Sequence, residues 1–259
     1  MLVLRPRWNR NGHFSGSDQV ATEAQFLRLR PAFVLSILML VSFGLALMDL
    51  GTSAFREELG SDQVRRLFNV DEEASIPTWV SGAQLLLASA ILMFIAWLRG
   101  ARNAATMYWW LLAIVFMVLS IDEIASIHEH SSLGLSAIGF NGPWVLAGAA
   151  IVSALGVMLI PFLLSLPTEI RLLFIASAAI SIGGAMGIEL IHLETEAGDT
   201  SFRTSLIPAA EEFMERSGFA LFIYSLLRYL MLSGVRGVGV GRNVVPLERG
   251  SPRVVSDIA

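Results

Sequence analysis

Long apolar stretches alternate with short polar connections along most of the chain. Several of the stretches reach about 20 residues, which is the length that a helix needs to cross the apolar core of a bilayer. Because an open strand leaves backbone hydrogen-bonding groups unpaired in lipid, all of them are predicted to be helices. The predicted spans cover residues 32–50, 78–98, 107–125, 144–166, 170–193 and 211–233. The pattern therefore predicts an all-α fold, a polytopic membrane protein with a bundle of six transmembrane helices.

The polar segments divide the rest of the chain. Residues 1–30 are predicted to be an N-terminal tail, residues 31–233 the six-helix transmembrane domain, and residues 234–259 a flexible C-terminal tail without helical period. Within the long connection 51–77, Ser61 and Asp62 precede Val64, Leu67 and Phe68, which predicts a short capped amphipathic helix. We expect this helix to lie on the membrane surface, either as an ordinary interfacial helix or as a lid.

Composition and charge agree with this interpretation and give the orientation. Hydrophobic residues make up 54% of the chain and charged residues only 15%, against about 25% charged residues in soluble domains. All 18 basic residues are arginine, and 13 of them fall on the side of the two termini, whereas 17 of the 22 acidic residues fall on the other side. The bias of arginine toward cytoplasmic loops predicts that both termini are cytoplasmic. Aromatic residues, Trp109 and Tyr229 among them, are then expected at the inner membrane interface.

Two classes of protein are disfavoured by what the sequence contains. No basic stripe indicates binding to nucleic acid. The absence of cysteine excludes disulfides, cysteine-ligated zinc and iron–sulfur clusters held by cysteine. The predicted spans instead make the lipid bilayer the first expected partner.

Acidic residues and histidines gather where three of the predicted spans reach the outer face. They are Asp122, Glu123, His128, Glu129 and His130 at the end of the third span, Glu189, His192 and Glu194 at the end of the fifth, and Glu211, Glu212 and Glu215 at the start of the sixth. Charged groups are costly near lipid, so such a grouping is a functional-site hypothesis by default. Asp49, at the outer end of the first span, would extend it.

Spacing within these groups indicates a metal site. Glu189 and His192 are three residues apart and share a helix face, the spacing used by carboxylate-bridged dimetal sites in helix bundles. Upstream, Gly183 and Gly187 form a small-residue pair that predicts the close approach of another helix. Buried carboxylates stay ionised only where cations, protons or arginines compensate them. Imidazole with carboxylate suits iron, manganese or zinc, so a divalent transition metal is the predicted cofactor.

The sequence also suggests a role for each group. The predicted metal ligands are His128, Glu129, Glu189, His192 and Glu212, and the predicted catalytic residues are Asp122, Glu123 and Glu215. The latter would act as further ligands, as a general base or as partners that orient the imidazoles. A dimetal centre would oxidise a lipid or quinone-like substrate, whereas a single zinc ion would activate water to hydrolyse a lipid or amide bond. The sequence does not separate these two chemistries.

Other interpretations stay open. The acids are also explained as solvated helix ends, and Glu211 and Glu212 in a first helical turn favour the helix dipole. The same carboxylates would serve a proton- or cation-coupled transporter. A non-catalytic scaffold would instead bind other membrane subunits through its apolar surface. A haem held by His192 with His128 or His130 is disfavoured by the surrounding carboxylates.

Three short motifs carry a resemblance to known proteins. The pattern DExxxxHE at 122–129, ExxH at 189–192 and EExxE at 211–215 resembles multi-pass proteins of bacterial inner membranes, and this implies that location but no reaction. Residues 211–216 also look like the EExxxR motif of intramembrane CAAX-type glutamate proteases. In that family the motif precedes further histidine-bearing helices, whereas here it lies in the last span with no histidine after it. The protease activity is therefore not carried over.

Overall fold

The structure is a computed structural model that describes residues 26–28, 30–55, 62–70, 75–100, 104–127, 144–188, 203–239 and 247–249. The chain divides into two units. Residues 30–232 form a helical unit, and residues 1–29 together with residues 233–259 form a terminal unit.

The described part of the helical unit contains seven helices. They are α1 Pro31–Ala54, α2 Asp62–Phe68, α3 Ile76–Arg99, α4 Ala104–Ala125, α5 Trp144–Leu164, α6 Thr168–Ile182 and α7 Arg203–Leu232. A π-helical segment, Gly183–Ile188, continues α6. Each predicted span has a helix at its position, and α2 lies where the short helix of the long connection was predicted. Five helices of the described residues, α1 and α3 to α6, are long and apolar enough to cross a membrane.

Local sequence signals explain where α3 begins and ends. The Ser75 side chain caps its first turn by accepting a hydrogen bond from the backbone N–H of Thr78 at 3.3 Å, and Pro77 occupies the first turn, where its missing N–H costs nothing. At the other end the helix stops at Gly100, whose φ of 72° lies in the left-handed region that glycine adopts readily.

Helix α7 is the centre of the unit. It packs against α1, α3 and α6 and against the π-helical segment, and its residues Ala220, Ile223 and Leu226 are completely buried. This arrangement differs from that of α5, which contacts α4 and leaves most of its apolar surface exposed. The sixth predicted span is therefore the helix with the most neighbours, although its charged residues keep it out of the set of five apolar helices.

Helices α3 and α4 make the most extensive contact of any helix pair in the described helical unit. The Ser89 hydroxyl donates to the backbone oxygen of Ala113 at 2.7 Å, and the Ser120 hydroxyl donates to the backbone oxygen of Gly82 at 2.8 Å. These bonds cross from one helix to the other in opposite directions. They hold the two helices in register, and the register places the end of α4 beside the beginning of α3.

An aromatic cluster fills the opposite end of the unit. Trp109 of α4 is 1% exposed, and its ring centroid lies 4.7 Å from that of Tyr229 and 5.0 Å from that of Phe162. The Trp109 side chain thus faces the interior of the helical unit, and its depth at the inner membrane interface stays a prediction. Burying so large a ring among other aromatic rings joins α4, α5 and α7.

The described part of the terminal unit contains three short strands. They are β1 Phe26–Arg28, β2 Val235–Gly239 and β3 Leu247–Arg249, paired antiparallel in the order β1-β2-β3. Val238 is opposite Leu27 on one side and Leu247 on the other. No strand was predicted here, and the all-α prediction applies to the helical unit alone. Strands of three to five residues carry too short an apolar alternation to be recognised in a tail rich in glycine and arginine.

Candidate carboxylate–arginine site

The predicted site residues divide between the described and the undescribed parts of the chain. Asp122, Glu123, Glu212 and Glu215 belong to α4 and α7, whereas His128, Glu129, Glu189 and His192 lie outside the described residues. Within the part of the chain that the structure describes, no group of three or more histidine, aspartate or glutamate side chains is arranged to hold a metal ion. The metal site formed by these ligands together therefore stays a prediction.

A buried arginine organises the described part of the site. Arg216 lies in α7 one helical turn after Glu212, and its residue surface is 0% exposed. Its Nη1 donates to Oε2 of Glu212 at 2.7 Å, and the Glu212 side chain is 24% exposed. The spacing of four residues places the two groups on one face of the helix. The ion pair runs from the interior of the unit toward its surface.

Helix α4 brings another carboxyl group to the same place. Glu123, one residue beyond Asp122, interacts electrostatically with Glu212 and Arg216 across the helix boundary and lies close to the Ser81 hydroxyl of α3. Glu215 of α7 interacts with the same two acids, Glu123 and Glu212. Helices α4 and α7 therefore bring together three of the predicted site residues, Glu123, Glu212 and Glu215, and we call these with Arg216 the carboxylate–arginine cluster.

The end of α6 packs against the turn of α7 that carries the acids. A Cβ atom added to Gly184 would lie 2.9 Å from the backbone oxygen of Glu211 and 3.2 Å from Cγ of Glu215, so only glycine fits there. Close approach of another helix was predicted at Gly183 and Gly187, and the surroundings of Gly187 lie outside what the structure describes. Gly183 makes only an ordinary contact, 3.8 Å from Met214.

One edge of Arg216 carries hydrogen-bond donors that no described residue accepts. Its Nε and Nη2 atoms are buried and have no hydrogen-bond partner among the described residues, and the same is true of both amide atoms of Gln84, which is 3% exposed in α3. Sequence reasoning did not single out Gln84. A signal for Gln84 was present, since it is a lone amide in an otherwise apolar span, where a buried polar group is costly.

The charges of the cluster do not balance. Three carboxyl groups surround one guanidinium, and carboxylates buried together repel each other unless a cation or protons compensate them. Arg216 supplies one compensating charge and already bonds Glu212. The remaining acids, Glu123 and Glu215, are thus suited to bind a cation or to hold protons.

A buried acid also ties the connection after α2 to the helical unit. Asp49 of α1 is 3% exposed, and its Oδ1 accepts a hydrogen bond from the backbone N–H of Val70 at 3.3 Å. Val70 is itself buried. Asp49 was considered as an extension of the site, and the structure shows it bonded to this connection.

Comparison with known proteins gives one match. A family described as a domain of unknown function, DUF8692, matches residues 32–230, from the first turn of α1 to the last turn of α7. No curated protein and no solved structure matches the chain.

Proposed function

Because the chain belongs to the DUF8692 family, whose description names no activity, we propose its function from the carboxylate–arginine cluster: it is an integral membrane metalloprotein. Its carboxylate/histidine site lies at the outer ends of α4, α6 and α7. One observation carries the proposal: α4 and α7 bring Glu123, Glu212 and Glu215 together inside an apolar helical unit with too little positive charge to balance them.

The membrane placement follows from the helices and the arginines. Five long apolar helices support a multi-pass protein, and α7, enclosed by its neighbours, completes six spans. With both termini cytoplasmic, the carboxylate–arginine cluster lies toward the outer, periplasmic face of a bacterial inner membrane. The lipid bilayer is then the protein's immediate partner.

The metal proposal combines the cluster with the segments that continue from it. α4 leads into His128 and Glu129, and the π-helical segment leads into Glu189 and His192. With Glu212, these residues supply imidazole and carboxylate donors that suit iron, manganese or zinc. Glu212 bonds Arg216 through Oε2, and a carboxylate is able to serve two partners through its two oxygens.

The chemistry proposed for such a centre acts on lipid-soluble substrates. A dimetal centre supplies redox chemistry toward a lipid or quinone-like molecule, and a single zinc ion supplies an activated water for hydrolysis. In both cases Asp122, Glu123 and Glu215 would serve as additional metal ligands, as a general base or as partners that orient the imidazoles. The apolar helices around the cluster suit a substrate that arrives from the bilayer.

Elemental analysis of the detergent-purified protein tests this function. We expect a stoichiometric content of iron, manganese or zinc that is lost in Glu189→Ala and His192→Ala and kept in Arg228→Gln, a control on α7 far from the site. A content below about one tenth of an equivalent of any transition metal overturns the proposal, because a site with these donors binds metal tightly. Metal that is retained by both alanine variants overturns the ligand assignment.

The charge excess of the cluster also favours a second candidate, a proton- or cation-coupled transporter. Carboxyl groups inside helical membrane proteins mark ion and proton pathways. In proteoliposomes this candidate predicts an ion flux that Glu123→Gln abolishes. If the purified protein contains no metal and the proteoliposomes show no ion flux, the results would instead support a scaffold. Such a scaffold would bind other membrane subunits through the exposed surface of α5.

A further inference from the structure

We infer that Arg99, at the C-terminal end of α3, binds the phosphate group of an anionic phospholipid, and that the Tyr229 hydroxyl positions it for this. The site is remote from the carboxylate–arginine cluster. Tyr229 follows Arg216 by thirteen residues of α7, which corresponds to about 20 Å at the rise of an α-helix. A lipid site here goes beyond the proposed metal centre and shares with it only the placement of the helices in a membrane.

Positive charge predominates at this end of the helical unit. The charged side chains described there are four arginines and one acid, namely Arg30, Arg99, Arg171, Arg228 and Glu169. Glu169 accepts hydrogen bonds from Nε and Nη2 of Arg228, at 2.9 Å and 2.6 Å, and so compensates the charge of that arginine. The other three arginines form no ion pair with a described carboxylate. This end therefore attracts anions.

Arg99 is the arginine of this group that a neighbouring helix holds in place. Its Nη1 donates to the Tyr229 hydroxyl of α7, and the Tyr229 ring is itself fixed 4.7 Å from that of the buried Trp109. The bond to Tyr229 does not require the edge formed by Nε and Nη2, which is the fork that matches two phosphate oxygens. Unlike Arg216, Arg99 is exposed, so a ligand has access to it.

Exposed apolar side chains at this end favour a lipid over a soluble anion. Trp97, two residues before Arg99, is 65% exposed, and Trp110 of α4 is also exposed. Tryptophan favours the headgroup level of a membrane, which is the level of the lipid phosphates. Met93, one turn before Trp97, extends the exposed apolar surface along α3. A phospholipid is thus able to bind Arg99 through its phosphate while its acyl chains lie along the helix.

The net charge of the lipid should decide its affinity. A zwitterionic headgroup carries its own cation, which competes with Arg99 for the phosphate and meets an end of the protein that is already positive. An anionic headgroup such as that of phosphatidylglycerol carries no cation. Arginines near a membrane surface attract anionic lipids, and bonds between guanidinium and phosphate are strong because both groups are charged. Phosphatidylglycerol should therefore bind more tightly than phosphatidylcholine.

Native mass spectrometry of the detergent-purified, full-length protein with dioleoyl phosphatidylglycerol measures the affinity for the first bound lipid. We expect Arg99→Gln to weaken this affinity by about fivefold to tenfold. Arg99→Lys should weaken it by about threefold, because lysine keeps the charge but lacks the fork. Arg228→Gln is the matched control, since it removes one positive charge from the same end, but from an arginine that Glu169 already compensates. Equal weakening by Arg99→Gln and Arg228→Gln would show a general attraction to positive charge and would overturn the site.

Tyr229→Phe tests the positioning role separately. The variant keeps the ring beside Trp109 and removes only the hydroxyl that accepts from Arg99. We expect the affinity for phosphatidylglycerol to fall by about threefold, while binding of phosphatidylcholine and the thermal unfolding temperature stay unchanged. Wild-type affinity for phosphatidylglycerol in Tyr229→Phe would overturn the role of the hydroxyl, and equal losses for both lipids would show that it is merely structural.

Other ligands distinguish the lipid from its parts. Dioleoyl phosphatidylcholine has the same acyl chains and should bind the wild type about fivefold more weakly. Equal affinity for the two lipids would overturn the choice of an anionic lipid. Inorganic phosphate should not displace phosphatidylglycerol, and displacement would identify a site for free phosphate instead. These outcomes are independent of the metal content, because a missing metal overturns the proposed function and leaves the lipid result standing.

Discussion

Gly218 of α7 lies directly against Ser181 of α6. A Cβ atom added to Gly218 would be 2.6 Å from Cβ of Ser181 and 2.7 Å from its backbone nitrogen. Real Cβ atoms do not approach this closely, so the two helices touch at this point only because one residue has no side chain. The contact lies two residues from Arg216 and fixes how the end of α6 meets the carboxylate–arginine cluster.

Gly218→Ala is therefore expected to destabilise the protein. The added methyl group meets backbone as well as side-chain atoms, and overpacking of this kind costs about 1–3 kcal/mol. Gly156→Ala in α5 is the matched control, because nothing lies within 4 Å of a Cβ added there. The free energies of unfolding of both variants, measured by denaturant titration in detergent, provide the comparison. Similar stability of the two variants would contradict the close contact.

The two ion pairs of α7 should respond very differently to the loss of an acid. Glu212→Gln removes the carboxylate that is bonded to the buried guanidinium of Arg216, and breaking a buried pair costs about 3–5 kcal/mol. Glu169→Gln removes the partner of Arg228, whose side chain is 31% exposed, and exposed pairs contribute about 0–1 kcal/mol.

Thermal unfolding of these two variants, at low and at high salt, measures the difference. The small loss in Glu169→Gln should shrink further at high salt, because ions screen exposed charges. The large loss in Glu212→Gln should change little with salt. Equal losses in the two variants would show that Arg216 is solvated and not buried.

Hydrogen bonds between α3 and α4 should contribute modestly. Ser89→Ala removes the bond to the backbone oxygen of Ala113, and Ser120→Ala removes the bond to that of Gly82. Hydrogen bonds between helices of membrane proteins average about 0.6 kcal/mol in double-mutant cycles, so each variant should lose about that much stability. Ser36→Ala is the control, since the Ser36 hydroxyl bonds within its own helix, to Ala32. A loss in Ser36→Ala as large as in the other two variants would argue against the interhelical bonds.

The positions of the helices were predictable from the sequence, and the reason is composition. A sufficiently long apolar stretch is recognisable as a helix without knowledge of its neighbours. The helix at residues 76–99 was therefore placed within two residues of its observed bounds. The helix at residues 203–232 was placed within one residue at its end, but its start was predicted eight residues too late. The short helix α2 was recognisable for a similar reason, because its polar start and apolar spacing are local features.

The arrangement of the site was only partly predictable, because it depends on how the helices pack. The spacing of four residues explains why Glu212 and Arg216 share a face of α7, but no spacing showed that Nε and Nη2 of Arg216 would be buried without a described partner. Gly184, which contacts α7, lies in a π-helical segment that glycine content alone does not indicate. Trp109 was assigned to the interface by residue type, which did not indicate that neighbouring helices would bury it.

The bond between Asp49 and Val70 gives a prediction about the outer connection. The Asp49 carboxylate accepts a hydrogen bond from the backbone N–H of Val70 at 3.3 Å. Val70 is itself buried, with 5% of its surface exposed. Asp49→Ala removes the acceptor, so the Val70 amide and the preceding residues of α2 should exchange hydrogen with solvent faster. Asp49→Asn keeps an oxygen at the same position and should exchange more slowly than Asp49→Ala.

Hydrogen–deuterium exchange followed by mass spectrometry of the detergent-purified variants measures this effect. The peptide that contains Thr78 is the internal reference, because its amide is bonded to the Ser75 side chain and does not depend on Asp49. Faster exchange confined to residues 62–70 would show that Asp49 anchors the connection and that α2 opens locally when it is released. Unchanged exchange there in Asp49→Ala would mean that contacts of α2 with α1, and not the Asp49 carboxylate, hold the connection in place.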